Sequence, residues 1–428
     1  MQKELESKMF LYFLPAYYLY NMLLDVVFTR GSAAGVIINM GVLAMLIYLS
    51  LSNPFNKKFW YVFIWFIFNT ILILCNSSDV LFSIKWFCLN VMSMLCLPLA
   101  FNLISTNKQI ILLLKILIVI CGLYILNLIL ANTLDWGNAY GETNSDFTVQ
   151  GGASIVTGSM PIVIALMMAP IILYLIPTKR NFIILWTLTT VCMFLIFKRT
   201  NIASLVIGYL LFFVFYRFCI YKFGLRTKQI SRKNKNRIII GGISLLAVFV
   251  LIFGQIIVAQ LDVRERDLRE GSFQKEGRVV EWELVKNVIL NSNDTGIILF
   301  GKEPYNTSGN YGYSSARNLH GDFPTILFST GVVGFVYYWS VQLFIALCIL
   351  RYAKRRYLTS TQDVLLFSAY VSSSAIWFIC SFSATLGYFL VSAIYYMTHG
   401  MILRYFWNKH RAQEIIKIRL SYESTDCC

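Results

Sequence analysis

Acids and histidines are scarce in this chain: 428 residues hold 21 Asp and Glu against 37 Lys and Arg, and three histidines. The acids never take the spacing of a divalent-cation site, with no Asp-x-Asp pair, no His-Glu-x-x-His helix and no other carboxylate cluster. The Gly-x-Ser-x-Gly turn of serine hydrolases and the phosphate loop of nucleotide-binding proteins are missing too. Cysteine chemistry has no support. Of ten cysteines, Cys75, Cys88, Cys96, Cys121, Cys192, Cys219, Cys348 and Cys380 lie in or beside apolar runs, and no Cys-x-x-Cys or Cys/His metal spacing occurs. Cys427 and Cys428 end the sequence and resemble a prenylation tail, but a chain with many spans has no need of an anchor, so the pair reads as incidental. There is no repeat at the period of a solenoid and no low-complexity segment.

What fills the chain is apolar. Hydrophobic residues make up 57%, aromatics 16% and charged residues 14%, a balance that predicts a polytopic membrane protein. A net charge of +16 would suggest nucleic acid in a soluble protein. Here the cations cluster in short loops between apolar runs, which fits topology signals and anionic lipid headgroups and excludes a nucleic-acid partner. At roughly twenty residues per span there are about twelve candidates: 9–28, 33–52, 59–75, 82–105, 109–131, 153–176, 181–198, 200–221, 238–259, 324–350, 363–385 and 387–407. The first follows MQKELESK without a small-residue cleavage site and is expected to stay as a span. The segment 217–237, Arg351 with Lys354, Arg355 and Arg356, the pairs Lys57–Lys58 and Lys179–Arg180, and the tail from Arg404 all carry cations, so all are expected in the cytoplasm with both termini. The loop 136–152, with acids and no Lys or Arg, falls outside, as does the long hydrophilic stretch 260–323. The expected fold is therefore all-α: one transmembrane helical bundle over 1–428, capped on the outer side by a large loop containing short helices.

Three places could carry chemistry. Lys198 and Arg199 fall at the outer end of a span, against the positive-inside trend. They are either interfacial anchors or part of a site for an anionic ligand facing a wet cavity. In the long loop, Gly277-Arg278-Val279-Val280-Glu281-Trp282 opens a stretch in which Trp282, Val285 and Ile289 recur at helical spacing. This predicts an amphipathic helix lying on the bundle, with Arg278 and Trp282 on one face. Arg278 is otherwise one more charge on a solvated loop, like the mixed run Arg264 to Glu270. The loop also holds Arg317. His320, in Asn318-Leu319-His320-Gly321-Asp322-Phe323-Pro324, sits at the mouth of the next span with Asp322 beside it and Pro324 where a first helical turn tolerates proline. Such an imidazole either accepts a proton from a hydroxyl or is structural, as a lone histidine usually is. His399, in the last span, and His410, in the tail, suggest little. Without a metal site, a pyrophosphate handled here would need arginines, which present a fork of donors to phosphate oxygens; Arg199 and Arg278 would suit.

Taken together, these places resemble the O-antigen polymerases and ligases of the Wzy and WaaL type, GT-C-like integral-membrane glycosyltransferases. The likeness covers mainly 190–335: Lys198-Arg199-Thr200 opening a span, Gly277-Arg278 with Trp282 in the large loop, then His320, Asp322, Phe323, Gly331 and Gly334 entering the next span. Lysine at 198 departs from the family's more frequent serine. The resemblance implies a metal-independent, cofactor-free, inverting enzyme at the outer face of a bacterial inner membrane. Donor and acceptor would be undecaprenyl-pyrophosphate-linked glycans, with membrane lipids and a chain-length regulator as partners. Arg199 and Arg278 would hold the pyrophosphate, and His320 would orient or deprotonate the acceptor. Lys198, Trp282, Arg317 and Asp322 would line the substrate site. Polymerase is favoured over ligase by the His-Gly-Asp-Phe and Gly-x-x-Gly pattern. A transporter or flippase, expected to show internal repeats and helices broken by Gly or Pro, is the alternative of a different class.

Overall fold

The computed structural model describes residues 2–27, 33–90, 92–134, 136, 138–144, 147–155, 160–176, 179–195, 199–225, 277–307, 309, 319, 321–354, 356–382 and 389–425. Among these the chain is predominantly helical. Before the long loop come α1 (Gln2–Val27), α2 (Ala33–Ser52), α3 (Trp60–Asn76), α4 (Val80–Asn90), α5 (Cys96–Leu103), α6 (Asn107–Thr133), α7 (Met160–Met167), α8 (Ala169–Leu175), α9 (Lys179–Leu195) and α10 (Arg199–Phe223). The loop contributes α11 (Gly277–Leu290) and α12 (Thr295–Phe300), and α13 (Asp322–Leu347), α14 (Thr361–Ser381) and α15 (Phe389–Thr425) follow. Five segments are long and apolar enough to cross a membrane: Lys57–Asn76, Asn107–Thr133, Thr200–Phe223, Asp322–Tyr352 and Thr361–Ser381. Exposed Trp60, Ile71, Leu74, Leu210, Phe213, Leu343 and Phe344 on these segments are the apolar surface a lipid tail would cover.

Several expected spans take another form. The run 82–105 divides into α4, a tight turn over Met92–Leu95, and α5, whose residues from Cys96 to Phe101 are all buried. The run 153–176 divides into α7 and α8. Pro98 and Pro170 lie in the first turns of α5 and α8, where the missing N–H has no intrahelical partner to lose, so each proline begins a new helix rather than continuing the old one. The start of 153–176 is not helical at all. Asn138–Asn144 and Phe147–Ser154 pair as an antiparallel hairpin, β1–β2, with an irregularity between Ala139 and Gly141. The backbone N–H of Ile155 then donates to Asn127 Oδ1 at 3.0 Å, tying the hairpin to the end of α6. The span expected at 238–259, the basic segment from 226 and the run 264–270 lie outside the described residues.

The helices pair antiparallel, and the pairs sort the loops. Along α3 and α13, Tyr61 meets Phe344 and Trp65 stacks on Tyr337, while Asn69 of α3 accepts from Tyr305 in the segment after α12. Along α10 and α14, Phe215 meets Phe367 while Ser204 Oγ lies 3.3 Å from Cys380 Sγ. Along α14 and α15, Tyr405 reaches Asp363 and Trp377 stacks on Tyr395 at 4.3 Å. One end of the bundle thus collects Glu6 with Asn53 (2.8 Å), Ser7 with Gln109 (3.1 Å), Ser105 with Asn408 (3.1 Å) and the 351–363 turn. The opposite end collects Ser77–Ser83, Glu303–Tyr305 and the start of α13: Ser78 N–H donates to Glu303 Oε1 at 2.9 Å and Ser83 Oγ to the Pro304 carbonyl at 2.6 Å. The connections near Asn53 and Ser105 thus share one end of the bundle, and those near Ser77–Ser83 and Glu303–Tyr305 share the other.

Asp363 clamps the first end. It is fully buried at the start of α14, where Ser360 and Asp363 form a capping box. Its Oδ2 accepts from the backbone of Thr359 (2.9 Å) and Ser360 (2.6 Å) and from Lys409 Nζ (2.5 Å), and its Oδ1 accepts from Tyr405 (2.8 Å). Asp363→Ala removes these contacts and a fifth from the Thr359 hydroxyl (3.4 Å), and leaves the Lys409 ammonium with Thr359 Oγ1 as its remaining partner. The expected loss is on the order of 3 kcal/mol, read as a lower unfolding midpoint in detergent. An unchanged midpoint would show that the clamp contributes nothing.

Candidate active site at the loop-bearing end

The sequence expects an amphipathic helix beginning at Gly277, and α11 is that helix. Val285 and Ile289 are fully buried, and with Leu319, Leu327 and Phe328 they form a small core distinct from that of the bundle, flanked by Trp282, Ile297, Val332 and Phe335. An isolated fourteen-residue helix is marginal in water, so this stripe of apolar contacts is what holds α11 on α13. Trp282 lies 6.5 Å from Phe323 and 6.2 Å from Phe335, between ring centroids. Phe323 in turn stacks on Trp339 at 4.3 Å and packs against Phe382, just past α14, at 4.8 Å. This aromatic nest joins three elements at one end of the bundle.

The same nest sets where the sequence-derived candidates fall. Asp322 opens α13 and is buried, 1% exposed, with its helix capped by Gly321 in extended conformation. It lies within electrostatic range of the Tyr338 and Tyr396 hydroxyls, so it faces the bundle rather than the loop. Arg278 lies one turn before Trp282 on α11. Arg199 begins α10, five residues before Ser204, which adjoins Cys380 near the end of α14; at 1.5 Å per residue its backbone stands about 7 Å further towards that end. The starts of α10 and α13 therefore adjoin the carboxyl end of α14, and α11 joins them through Trp282 on Phe323. Lys198, Arg317 and His320 lie outside the described residues; Leu319 and Gly321, on either side of His320, are buried.

Two features were not legible beforehand. Glu281, three residues from Arg278, is fully buried, so α11 brings a carboxylate as well as an arginine to this end. Like Asp322, it is engaged by its surroundings. Its place beside Trp282 on the inward stripe is the only sequence signal for it. The second feature is a break in α13. Gly331 has φ 62° and ψ −165°, which interrupts the helix after Thr330. The carboxyl end of α12 fills the interruption: Gly301 (φ 90°) lies against it, and the Lys302 N–H donates to the Phe328 carbonyl at 2.9 Å, giving a partner to a carbonyl that the break leaves without one. Gly334, one turn on, has the Phe68 ring of α3 3.0 Å from where a Cβ would sit. The Gly-x-x-Gly spacing is thus a broken helix and a close crossing in succession.

Past the break, Tyr305 takes φ 57° and donates its hydroxyl to Asn69 of α3. Burial raises its pKa and keeps the phenol neutral, so it acts as a buried hydrogen-bonding peg. The segment 301–307 is therefore fixed to the bundle on both sides, which gives α11 and α12 a rigid base. His399, read beforehand as uninformative, is buried between Tyr370 and Tyr395: its Nδ1 donates to the Tyr395 carbonyl at 2.8 Å and its Nε2 pairs with Ser374 Oγ at 3.0 Å. Those partners make it a link between α14 and α15. Among the described residues no three His, Cys, Asp or Glu side chains converge to hold a metal ion.

The chain matches no protein-family model and no curated protein. Function is therefore argued from the residues and their placement.

Proposed function

We propose that the protein is a membrane glycosyltransferase that joins polyprenyl-pyrophosphate-linked oligosaccharide units into a surface polysaccharide. What supports this reading is that the first turns of α10 and α13 lie by the carboxyl end of α14, with Trp282 of α11 packed on Phe323, so that the segments bearing Arg199 and Arg278 end on the side of the bundle that bears the long loop. These positions were singled out from three distant stretches of sequence for the same chemistry. In the reaction, a hydroxyl of the acceptor glycan attacks the anomeric carbon of the donor from the face opposite its pyrophosphate. The new C–O bond forms as the bond to the pyrophosphate oxygen breaks, inverting the carbon. His320 takes the hydroxyl proton, and Arg199 and Arg278 balance the charge that builds on the departing pyrophosphate. The arginines supply this stabilisation without a metal. The setting is the outer face of a bacterial cytoplasmic membrane crossed about twelve times, with both termini inside.

The test is to incubate purified protein with a lipid-linked repeat unit from its own host, without added metal, and to separate the products by length. A ladder of lengthening glycans is expected. Transfer only to an added lipid A core would make the protein a ligase, and consumption of neither substrate would sink the glycosyltransferase reading.

One observation favours a second reading. A helix interrupted at Gly331 is a feature of transporters, whose broken helices present backbone groups to a substrate. Here the backbone of Gly301 and Lys302 occupies the interruption, which weighs against a transport site at that point. Movement of the intact lipid-linked unit across a proteoliposome membrane, with no new glycosidic bond, would decide for transport.

A further inference from the structure

At the end of the bundle opposite the long loop, three cations converge on one indole. Lys58 Nζ and the guanidinium carbon of Arg404 each lie 5.1 Å from the Trp407 ring centroid, and that of Arg411 lies 5.5 Å from it. Arg404 also sits 5.1 Å from Phe101, which packs edge-on against Trp407 at 5.9 Å and fixes it in place. Aromatic faces attract cations, but only modestly at an accessible site, while like charges this close repel. Arg351 acts on Lys58, and Arg411 on Arg404, in that repulsive sense. Asp363 holds Lys409 at 2.5 Å, while Glu414, which lies 3.3 Å from His410 Nδ1, also acts on Lys58 in the attractive sense without forming an ion pair with it. Lys58, Arg351, Arg404 and Arg411 make no ion pair among the described residues, and Arg404 Nε is a buried donor with no acceptor. Lys58 begins one membrane-length segment, and Arg351 lies in the last turn of another, so the cluster sits at the level of lipid headgroups.

We infer that this cluster binds the phosphate headgroup of an anionic membrane lipid. A phosphodiester between Lys58, Arg404 and Arg411 would neutralise the mutual repulsion and give the Arg404 Nε an acceptor. Its acyl chains would run along the exposed apolar faces of α3 and α13. This site is separate from the proposed glycosyltransferase site and does not depend on it.

The experiment is thermal unfolding of the full-length protein in neutral detergent, with phosphatidylglycerol, phosphatidylcholine or inorganic phosphate added. Phosphatidylglycerol is expected to raise the midpoint by about 5 °C at saturation and phosphatidylcholine not at all. Lys58 and Arg411 are exposed, so K58Q/R411Q is expected to fold and, with repulsion relieved, to melt no lower than wild type in lipid-free detergent. It should keep less than a third of the phosphatidylglycerol shift. R180Q/K222Q, which removes two cations from the first turn of α9 and the last turn of α10, should keep all of it. Equal loss in both variants would mean diffuse charge attraction and overturn the site. A full shift with inorganic phosphate would overturn the lipid as its occupant.

Discussion

Gly331→Ala is expected to leave little folded protein. The backbone at Gly331 has φ 62° with ψ −165°, a conformation essentially closed to residues with a Cβ and costing about 1–3 kcal/mol to impose. Space is a second, independent obstacle. A Cβ there would lie 2.5 Å from the Gly301 nitrogen and the Leu299 carbonyl oxygen, both backbone atoms that cannot rotate away. The reciprocal contact exists on the other side, where a Cβ on Gly301 would meet Ser329 C at 2.6 Å and Phe328 O at 2.7 Å. Strain and overpacking together come to about 3–5 kcal/mol, a large part of an ordinary stability of about 5–15 kcal/mol. Gly301→Ala should do comparable damage, because it opens the same contact. Gly122→Ala, in α6 with nothing within 4 Å of the added methyl, should be neutral or slightly stabilising. The readout is the yield of monodisperse protein and its unfolding midpoint. If Gly331→Ala matches Gly122→Ala, α13 is not broken as described.

Arg278→Ala and His320→Ala are each expected to reduce glycan transfer about 10²–10³-fold, with the protein still present in the membrane at its usual level. Arg278→Lys should recover only a small part of the rate, because an ammonium keeps the charge but cannot present two parallel donors to phosphate oxygens. Arg278 lies in the first turn of α11, two turns before Val285, and the small core that holds that helix on the bundle is made by Val285 and Ile289, so its loss should spare the fold. The measurement is initial transfer rate from a lipid-linked donor, at matched protein level and with a chelator present. Undiminished transfer by both alanine variants would remove the proposed roles.

The positions of most helices were readable because a run of about twenty apolar residues has one low-energy form in hydrocarbon, a helix whose backbone bonds are internal. α3, α6, α10 and α14 follow the expected spans closely, whereas the run 324–350 is interrupted at Gly331. The Trp282, Val285, Ile289 stripe likewise predicts α11 and the face it buries, since the 3.6-residue period maps sequence directly onto a surface. Where 82–105 and 153–176 break was not readable in the same way. Hydropathy does not distinguish a side chain facing lipid from one facing protein, and α5 is apolar because it is buried against α15.

Composition and periodicity by themselves determined that this chain is helical with apolar helices of membrane-spanning length, and which face of α11 turns inward, because each depends only on residues near one another in the chain. Tertiary structure alone decided three things. The break at Gly331 depends on the backbone of Leu299 and Gly301. The approach of the starts of α10 and α13 to one helix end depends on which elements pack against α14. The convergence of Lys58, Arg404 and Arg411 on Trp407 joins residues up to about 350 positions apart. Each is a contact between distant segments, and the free energy that selects it comes from packing neighbours that no local pattern encodes.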